Sequence, residues 1–431
     1  MLNVPLVAPV SEYVRVGQAL EDVLVLMTET RRADTVRARD AYGRVCAEDV
    51  VSPVDVPPST ISRMDGFAVR SSDTVRASEG SPAVLKIVGD IGLGEQFKVK
   101  IRPGEAARVA TGSFTPAETD AVVPVEEASA RGSTLEVRRP AEPGSHCFTT
   151  GADVQKGSVV LRRGARLRAQ DIGLAITLGI RKVKVYRTPR VAILATGSEL
   201  TDSDLEGGKT RNSHGPFFDM VAKAVGCEAI DLGIARDRKD EILGKLRKGL
   251  LSADLVLTTG GTSMGPFDLV DAAVRSLKPR ALHHGIRMDR GRVTGVAVVG
   301  GKPVVMMPGP IQGALNAFVL FALPVIQRLS MAGDETIKAK ATLTRRWEAR
   351  RRFSDFTKVV YLKLTEGEKG LEAEPLSAET ESMSLLVRST AVTIVPEEVS
   401  SMEIGQEVEA MLVPGVSYSM RGVGPRDGSS S

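Results

Sequence analysis

Between residues 190 and 330 the sequence alternates short apolar runs with longer segments of helical spacing. The apolar runs are RVAILA (190–195), CEAIDLGI (227–234), DLVLTT (254–259) and KPVVMM (302–307). The helical segments are GPFFDMVAKAV (215–225), EILGKLRKGLL (241–251), DLVDAAVRSL (268–277) and residues 311–330. Apolar strands that alternate with helices indicate a parallel sheet covered on both faces. This pattern restricts the region to the α/β class.

The flanking regions follow other patterns. Residues 17–50 are predicted to be helical, and so is RAQDIGLAITL (168–178), which Gly179 ends. Short alternating or apolar runs predict β structure over residues 84–139, namely VLKIV, FKVKI, ARVA, AVVPV and LEVRR. A second β region over 336–414 contains IKAKATL, KVVYLKL, LEAEPL, AVTIVP and QEVEAML. The polar residues 416–431 are predicted to be disordered.

Composition narrows the function classes. The chain has 431 residues, which suggests about three domains. Only 4 % of residues are aromatic and the net charge is +4, a balance that argues against nucleic-acid binding. The three cysteines, Cys46, Cys147 and Cys227, are far apart and indicate neither zinc nor disulfides. The start resembles no signal peptide, and the apolar run 314–326 is expected to be a core helix, so the prediction is a cytoplasmic protein without a membrane partner.

Candidate site residues follow the strands of the 190–330 region. In an open parallel sheet, ligands bind beyond the carboxyl ends of the strands. Glycine loops and helix N-termini bind anions, and carboxylates bind Mg²⁺. Together these loops predict a phosphate-bearing ligand held with a divalent ion. The residues concerned are Thr196, Gly197, Glu199, Asp237, Gly260, Gly261, Asp268, Pro308 and Gly309.

Each of these features also has a simpler explanation. Asp237 precedes a helix, so a capping role is at least as well supported for it as a ligand role. The double glycine in TTGGTSMGPFD (258–268) could be an ordinary turn. In the β-rich region, Asp65, Thr111 and Asp153 lie at turns that need no function by themselves. The prediction therefore depends on the set and its topology.

Six segments occur in an order that resembles a known family. They are MDGFAVR, ATGSFTPAETDAVV, GADV, ATGSEL, GIARD and GGTSMGPFD. The sequence is similar to the molybdopterin molybdenumtransferase (MoeA-type) family, which includes the E domain of gephyrin. The resemblance extends from about residue 15 to 415.

The resemblance implies a multidomain α/β plus β fold. An elongated helical domain would comprise residues 1–52 with 150–182, and a β-rich domain would be inserted at 53–149. A three-layer α/β molybdopterin-binding domain would span 183–332, a β-barrel 333–415, and a disordered tail 416–431. Family members are elongated homodimers, and each active site lies between the α/β domain of one subunit and the inserted domain of the other.

The resemblance also implies an activity. The family inserts molybdate, or tungstate, into adenylylated molybdopterin and cleaves the adenylate with a divalent metal, here expected to be Mg²⁺. Asp65, Asp153, Asp268 and Glu199 match catalytic positions, and Glu199, Asp237 and Asp268 would be the metal ligands. An upstream adenylyltransferase and acceptor molybdoenzymes are the implied partners. The ligand-binding set adds Thr111, Thr196, Gly197, Gly260, Gly261, Ser263, Gly265, Pro308 and Gly309.

The sequence departs from the family in its basic loop. The family's K-P-G-K-P reads DRGRV (289–293) here, so an acid replaces the first lysine. Arg287, Arg290 and Arg292 would supply the positive charge for the oxyanion, although arginine and lysine are not equivalent. The loop PGPIQG (308–313) also lacks the family's Asn and Ser. These departures keep a second hypothesis open, a non-catalytic binding or carrier protein for molybdopterin or molybdenum cofactor.

Overall fold

The computed structural model describes residues 13–29, 32–95, 100–203, 207–261, 268–377 and 382–417. They divide into two compact units. The first unit draws on the described residues within 1–34, 43–45 and 186–431, and the second on 35–42 and 46–185. The finer boundaries of four domains stay a prediction.

The helices among the described residues are α1 (Val16–Leu26), α2 (Ala169–Thr177), α3 (His214–Ala224), α4 (Lys239–Ser252), α5 (Leu269–Ser276), α6 (Ile311–Ala317), α7 (Leu323–Ser330) and α8 (Met383–Arg388). The strands are β1 (Ala33–Arg37), β2 (Val50–Val51), β3 (Ile61–Ser62), β4 (Gly66–Val69), β5 (Ala83–Ile91), β6 (Glu105–Val109), β7 (Ala121–Pro124), β8 (Ala128–Arg131), β9 (Thr134–Val137), β10 (Cys147–Phe148), β11 (Val159–Leu161), β12 (Lys182–Tyr186), β13 (Arg190–Thr196), β14 (Leu200–Thr201), β15 (Thr210–Arg211), β16 (Glu228–Ala235), β17 (Leu255–Thr259), β18 (Ala281–His284), β19 (Gly295–Val299), β20 (Lys302–Met307), β21 (Ile337–Leu343), β22 (Trp347–Glu348), β23 (Lys358–Gly367), β24 (Gly370–Pro375), β25 (Ala391–Val395), β26 (Ser401–Met402) and β27 (Glu407–Leu412).

The first unit contains a six-stranded sheet of order β16-β13-β17-β20-β19-β18. Its first four strands are parallel, as the alternation of strands and helices predicts. The β20–β19 and β19–β18 pairs, formed by strands outside the four predicted runs, are antiparallel, so the sheet is mixed. The reason is the Gly300–Gly301 turn, whose positive φ angles of 58° and 81° suit a tight hairpin between β19 and β20.

Helices cover both faces of this sheet, which gives three layers. Alternate residues along a strand point to opposite faces. Ile193 and Leu257 pack with α1, α3 and the 311–330 helix, whereas Leu194 and Val256 pack with α4 and α5. Because both faces are buried, the central strands carry few polar residues, which is the pattern seen in the sequence.

Residues Ile311–Ser330 form one helical segment that is long and apolar enough to cross a membrane, yet most of it is buried inside the unit. This agrees with the predicted core helix. Its middle, Phe318–Ala322, is a π-helical turn. Pro324 follows this turn and has no N–H for a regular helical hydrogen bond, which accounts for the irregularity.

The C-terminal β region forms a closed barrel of β21, β24, β23, β25 and β27. Each of these strands coincides with a predicted run. One side of the barrel joins the core of the α/β layer, since Tyr361, Val392 and Met411 belong to the same apolar cluster as the 311–330 helix. The barrel is therefore continuous with the core that supports the sheet.

The second unit holds a six-stranded sheet of order β7-β4-β6-β5-β9-β8. Four of the five predicted runs coincide with its strands, and most of FKVKI (97–101) lies outside the described residues. Helix α2 ends as predicted, with Gly179 in a left-handed conformation (φ 73°). Apolar side chains pack on both faces of the sheet, with Phe67 and Leu135 on one face and Ala107 and Ile91 on the other.

The predicted helix over 17–50 is wrong beyond residue 26. Helix α1 ends at Leu26, and residues 33–37 form strand β1. The β-branched residues Thr35 and Val36 favour extended structure, and Gly43 adopts a left-handed turn with φ 74°. The residues predicted to form an elongated helical domain therefore include short strands, and their two helices belong to different units, α1 to the first and α2 to the second.

Phe218 tests the packing of α3 against the sheet. Its ring is fully buried, and it contacts Phe217 and Phe318 with centroid distances of 5.0 and 5.7 Å. We expect Phe218→Ala to lower the free energy of unfolding by about 3–5 kcal/mol because it leaves a cavity in the core. Met220 on the same helix is 59 % exposed, so Met220→Ala should change it by less than about 0.5 kcal/mol. Denaturant titration measures both, and equal effects would contradict the packing.

Candidate functional site

The carboxyl ends of the four parallel strands meet at one edge of the first unit's sheet. Thr196 at the end of β13 is in register with Ala235 at the end of β16. Ala195 is in register with Thr259, and Thr259 with Met307, the last residue of β20. The loops that follow these strands therefore start side by side, as the sequence predicts.

Gly260 and Gly261 are required by backbone packing at this edge. Both have positive φ, 81° and 65°. A Cβ on Gly260 would lie 2.5 Å from the Thr196 carbonyl oxygen, and one on Gly261 would lie 2.5 Å from Thr196 Oγ1. The Thr196 side chain is buried, and its hydroxyl donates to the Thr259 carbonyl at 3.2 Å. Thr196 thus shapes the loop rather than presenting its side chain to a ligand.

The loop after β20 lies beside the glycine loop. The Gly260 N–H donates to the Met307 carbonyl at 3.1 Å. Among the described residues, a Cβ on Gly309 would come within 4 Å of only the Gly260 Cα, at 3.9 Å. Pro308 and Gly309 therefore stand where the sequence places them. Ser263 and Gly265 lie outside the described residues.

Ser198 links the loops after β13 and β16. Its N–H donates to Asp237 Oδ2 at 2.9 Å, and the Asp237 N–H donates back to Ser198 Oγ at 2.9 Å. Asp237 does not cap α4, whose N-cap is Arg238, so the capping interpretation is wrong. Lys209 Nζ donates to the Ser198 carbonyl at 2.5 Å, so a positive charge lies next to the loop after β13.

The Glu199 carboxylate folds back over Gly197. A Cβ on Gly197 would lie 2.5 and 2.6 Å from the two carboxylate oxygens, so a side chain at this position would displace the Glu199 carboxylate. Gly197 has φ 150° and its N–H donates to the Ala235 carbonyl at 3.0 Å. Glu199 and Asp237 are both exposed at the strand-end edge and can accept a cation.

Asp268 differs from the expected exposed loop acid. It is the N-cap of α5 and only 6 % exposed. Its Oδ1 accepts the Asp271 N–H at 2.7 Å, and its Oδ2 lies 3.2 Å from His284 Nε2. A buried capping carboxylate stabilises its helix, so Asp268 also contributes to folding.

The three arginines of the basic loop, Arg287, Arg290 and Arg292, do not converge on one point. Arg287 pairs with the Asp355 carboxylate and lies 3.8 Å from Glu397. Arg290 Nη1 donates to Gln312 Oε1 at 3.0 Å, and the Arg292 guanidinium lies 5.2 Å from the centre of the Phe353 ring. Their proposed role at an oxyanion stays a prediction.

Asp289, which replaces the family lysine, is paired with Arg350. Arg350 Nε donates to Asp289 Oδ2 at 3.2 Å, and its Nη2 contacts Oδ1. The Arg290 N–H donates to the same carboxylate at 2.9 Å. An arginine 61 residues away thus compensates the acid and ties the loop to the segment before β23.

In the second unit, Asp65 and Thr111, which both belong to the site set implied by the resemblance, are hydrogen-bonded to each other. The Thr111 N–H and hydroxyl donate to Asp65 Oδ1 at 2.7 and 2.9 Å. These hydrogen bonds, the backbone one first, lower the pKa of the Asp65 carboxyl below its ordinary value. Asp65 also lines an open cavity of about 590 Å³ with Asp90 and Arg108. Asp153 is exposed, and its N–H donates to the Val56 carbonyl at 2.9 Å.

Several residues at the site were not predicted from the sequence. Ser198 lies inside the ATGSEL segment, so the motif could have indicated it, but the prediction selected its neighbour Glu199 instead. His284 is in the strand-like LHHGI segment, but nothing in its spacing indicates Asp268 as its neighbour. Gln312 and Arg350 carry no local signal, because their partners come from distant parts of the chain.

Charge reversal tests the Asp289–Arg350 pair. Asp289→Lys places two cations together and removes the acceptor of the Arg290 N–H. Because Arg350 is 46 % exposed, we expect the free energy of unfolding to fall by only about 1 kcal/mol. Asp289→Lys with Arg350→Glu should recover part of that loss. Denaturant titration of the single and double variants measures the coupling, and additive effects would show that the pair is not coupled. Arg346→Ala, at an exposed pair with Glu403, is the control.

Comparison with known proteins gives consistent matches. Residues 14–179 match the model of the MoeA N-terminal region (domain I and II), and 192–328 match a probable molybdopterin binding domain. A molybdopterin molybdenumtransferase of Bacillus subtilis is 32 % identical over 88 % of this chain and 89 % of the relative. A molybdopterin molybdenumtransferase of Staphylococcus epidermidis is 28 % identical over 94 % of this chain and 97 % of the relative.

Solved structures agree. A crystal structure of the molybdopterin biosynthesis MoeA protein from Pyrococcus horikoshii is 31 % identical, covers 93 % of this chain and 99 % of its own, and has a TM-score of 0.81. The sequence motifs, the strand-end edge and these full-length similarities together show that the chain belongs to the molybdopterin molybdenumtransferase family.

Proposed function

We propose that this protein inserts molybdate or tungstate into adenylylated molybdopterin, with metal-assisted cleavage of the adenylate. The observation that carries the proposal is the strand-end edge, where Gly197, Gly260 and Gly309 adjoin the exposed acids Glu199 and Asp237. Relatives similar over most of the chain are named molybdopterin molybdenumtransferases, which supports a transferase activity.

The chain's own residues would bind and orient the ligand. The glycines after β13 and β17 have no side chains, so a phosphate or pterin can approach the backbone closely there. Asp237 is oriented by the Ser198 N–H, and Asp268 is fixed at the start of α5. In the second unit, Thr111 holds Asp65 in its ionised form. Side chains held in this way need little reorganisation during reaction.

The acids fit Mg²⁺. Among the described residues, no group of three or more His, Cys, Asp or Glu side chains converges as a ready metal centre. Mg²⁺ in phosphate chemistry is usually held by one or two carboxylates with substrate phosphates and water, so a preformed cage is not required. Glu199 and Asp237 would hold the ion, and Asp268 is the third candidate. When bound, Mg²⁺ would neutralise charge on the adenylate phosphate.

The alternative, a non-catalytic binder or carrier, has less support. It was motivated by the altered basic loop, but the Asp289–Arg350 pair shows that this loop is structurally compensated. The acids at positions 65, 153, 199, 237 and 268 are all retained. We further propose a cytoplasmic homodimer that receives its substrate from an adenylyltransferase and delivers cofactor to molybdoenzymes.

Substitution of the acids tests catalysis. Asp65→Asn, Asp153→Asn and Asp268→Asn should each lower the rate of adenylate cleavage by about 100-fold or more, because a charged group at the reaction is lost. Asn caps helices nearly as well as Asp, so α5 should remain folded in Asp268→Asn. The rate is measured with adenylylated molybdopterin, molybdate and Mg²⁺.

Glu409→Gln, at an exposed barrel residue, serves as the control and should keep wild-type activity. Failure of the wild-type protein to cleave the adenylate under these conditions would overturn the proposed function. Wild-type rates in Asp268→Asn would instead remove Asp268 from catalysis.

Oxyanion binding by the basic loop is tested by calorimetric titration of molybdate and tungstate with adenylylated pterin present. The double variant Arg290→Ala, Arg292→Ala should bind either oxyanion at least about tenfold more weakly, because charge-assisted hydrogen bonds are lost. Affinity of the wild-type protein should fall as salt rises. Arg352→Ala is a matched control, since Arg352 lies over the same Phe353 ring as Arg292. Equal affinities in the double variant and wild type would exclude the arginines.

The assembly is tested by sedimentation. We expect a dimer at micromolar concentration, because the resemblance completes each active site with the inserted domain of a second subunit. The sedimentation velocity of the full chain gives its mass directly. A monomer at that concentration would contradict the shared-site arrangement.

A further inference from the structure

His284 lies at the end of edge strand β18, opposite the start of α5. Alternate residues of the strand face opposite sides of the sheet. Leu282 packs on the α4–α5 side, and His284, two residues later, also faces α5. His283 between them faces α1, where its Nε2 lies 2.8 Å from Asp22 Oδ2. The two adjacent histidines therefore have separate carboxylate partners.

The His284 ring is largely buried, and its Nε2 has two acceptor neighbours. The ring is 11 % exposed, and Nε2 lies 3.2 Å from both Asp268 Oδ2 and the Val293 carbonyl oxygen. Nδ1 is 3.6 Å from Asp271 Oδ1, beyond hydrogen-bond distance. Since an acceptor cannot serve an acceptor, the ring proton belongs on Nε2.

Asp268 is consequently held at both carboxylate oxygens. Oδ1 accepts the Asp271 N–H at 2.7 Å, within the first turn of α5, and Oδ2 faces His284. A contact from a second element further restricts rotation of the carboxylate about its χ2 torsion. The second contact comes from strand β18, and the first from the helix that Asp268 caps.

We propose that His284 is a positioning residue: its Nε2–H, which donates to the Val293 carbonyl, also lies 3.2 Å from Asp268 Oδ2 and by this electrostatic contact orients that carboxylate. The inference rests on the proposed function, in which Asp268 belongs to the reaction site. His284 would touch neither ligand nor metal. Partners of this kind typically change activity or metal affinity by 10–100-fold when removed, because the group they orient loses its working geometry.

Amide replacements give a sharp test. The amide nitrogen of Gln reaches about as far as histidine Nε2, whereas that of Asn reaches about as far as Nδ1. Gln carries two amide protons, one for Asp268 and one for the Val293 carbonyl. We expect His284→Ala and His284→Asn to lower kcat for adenylate cleavage by about 10–100-fold, with KM for adenylylated molybdopterin within about twofold. His284→Gln should recover to within about threefold of wild type.

The control is His283→Gln, which changes the neighbouring histidine and its contact with Asp22 and should keep wild-type kcat. Thermal melting of every variant shows whether a loss of activity comes from misfolding or from misplacement of the Asp268 carboxylate. Wild-type kcat in His284→Ala would overturn the proposal. A loss in His284→Gln as large as in His284→Ala, or a loss confined to KM, would also overturn it, since packing or ligand binding would then be the cause.

Nuclear magnetic resonance gives a readout that needs no turnover. The chain has only four histidines, so side-chain ¹⁵N correlation spectra can resolve each ring, and His284→Gln identifies the signal. The expected result is an Nε2–H tautomer for His284 whose Nε2 resonance shifts in Asp268→Asn, while that of His283 does not. An Nδ1–H tautomer, or no shift, would overturn the positioning role. If the wild-type protein cleaves no adenylate, the proposed function fails, and this spectrum still decides the His284 contact.

Discussion

The strand-end edge depends on close approach between two backbones. Strands β13 and β17 are adjacent, and the chain after β17 turns directly over Thr196. Any side chain at Gly260 would collide with the Thr196 carbonyl, and any at Gly261 with its hydroxyl. The glycines therefore serve the fold first, and their effect on ligand binding follows from the short distance they allow between sheet and loop.

The acids around this edge are organised by hydrogen bonds between loops. Ser198 and Asp237 exchange bonds across the ends of β13 and β16, and Glu199 folds over Gly197. Asp268 is buried, caps its helix and faces a histidine. Two exposed acids and one buried acid have different environments, so they are suited to different tasks: the exposed pair to cation binding, and the buried one to a fixed orientation.

The departures from the family pattern are balanced by contacts elsewhere in the first unit. Asp289 would weaken a positive field if it stood alone, but Arg350 neutralises it, and Asn316 holds the loop through the Arg290 carbonyl at 2.9 Å. Arg287 and Arg292 contact Asp355 and Phe353 in the segment before β23. The loop thus joins the α/β layer to the segment that enters the barrel.

The sequence by itself determined the elements and their class. Apolar strands alternating with helices specify the three-layer sheet, because burial on both faces leaves a periodic pattern in neighbouring residues. Motifs such as ATGSEL and MDGFAVR indicated the family and the candidate site positions. The local sequence pattern failed to predict two features. The helix predicted over 17–50 ends early, at β-branched residues and a glycine turn, and the antiparallel strands β18 and β19 join the sheet.

Only the tertiary structure decided that Asp268 is buried, that Asp237 binds Ser198, and that Arg350 contacts Asp289. The last two contacts join residues 39 and 61 positions apart that no periodicity connects, so they exist only once the chain has packed.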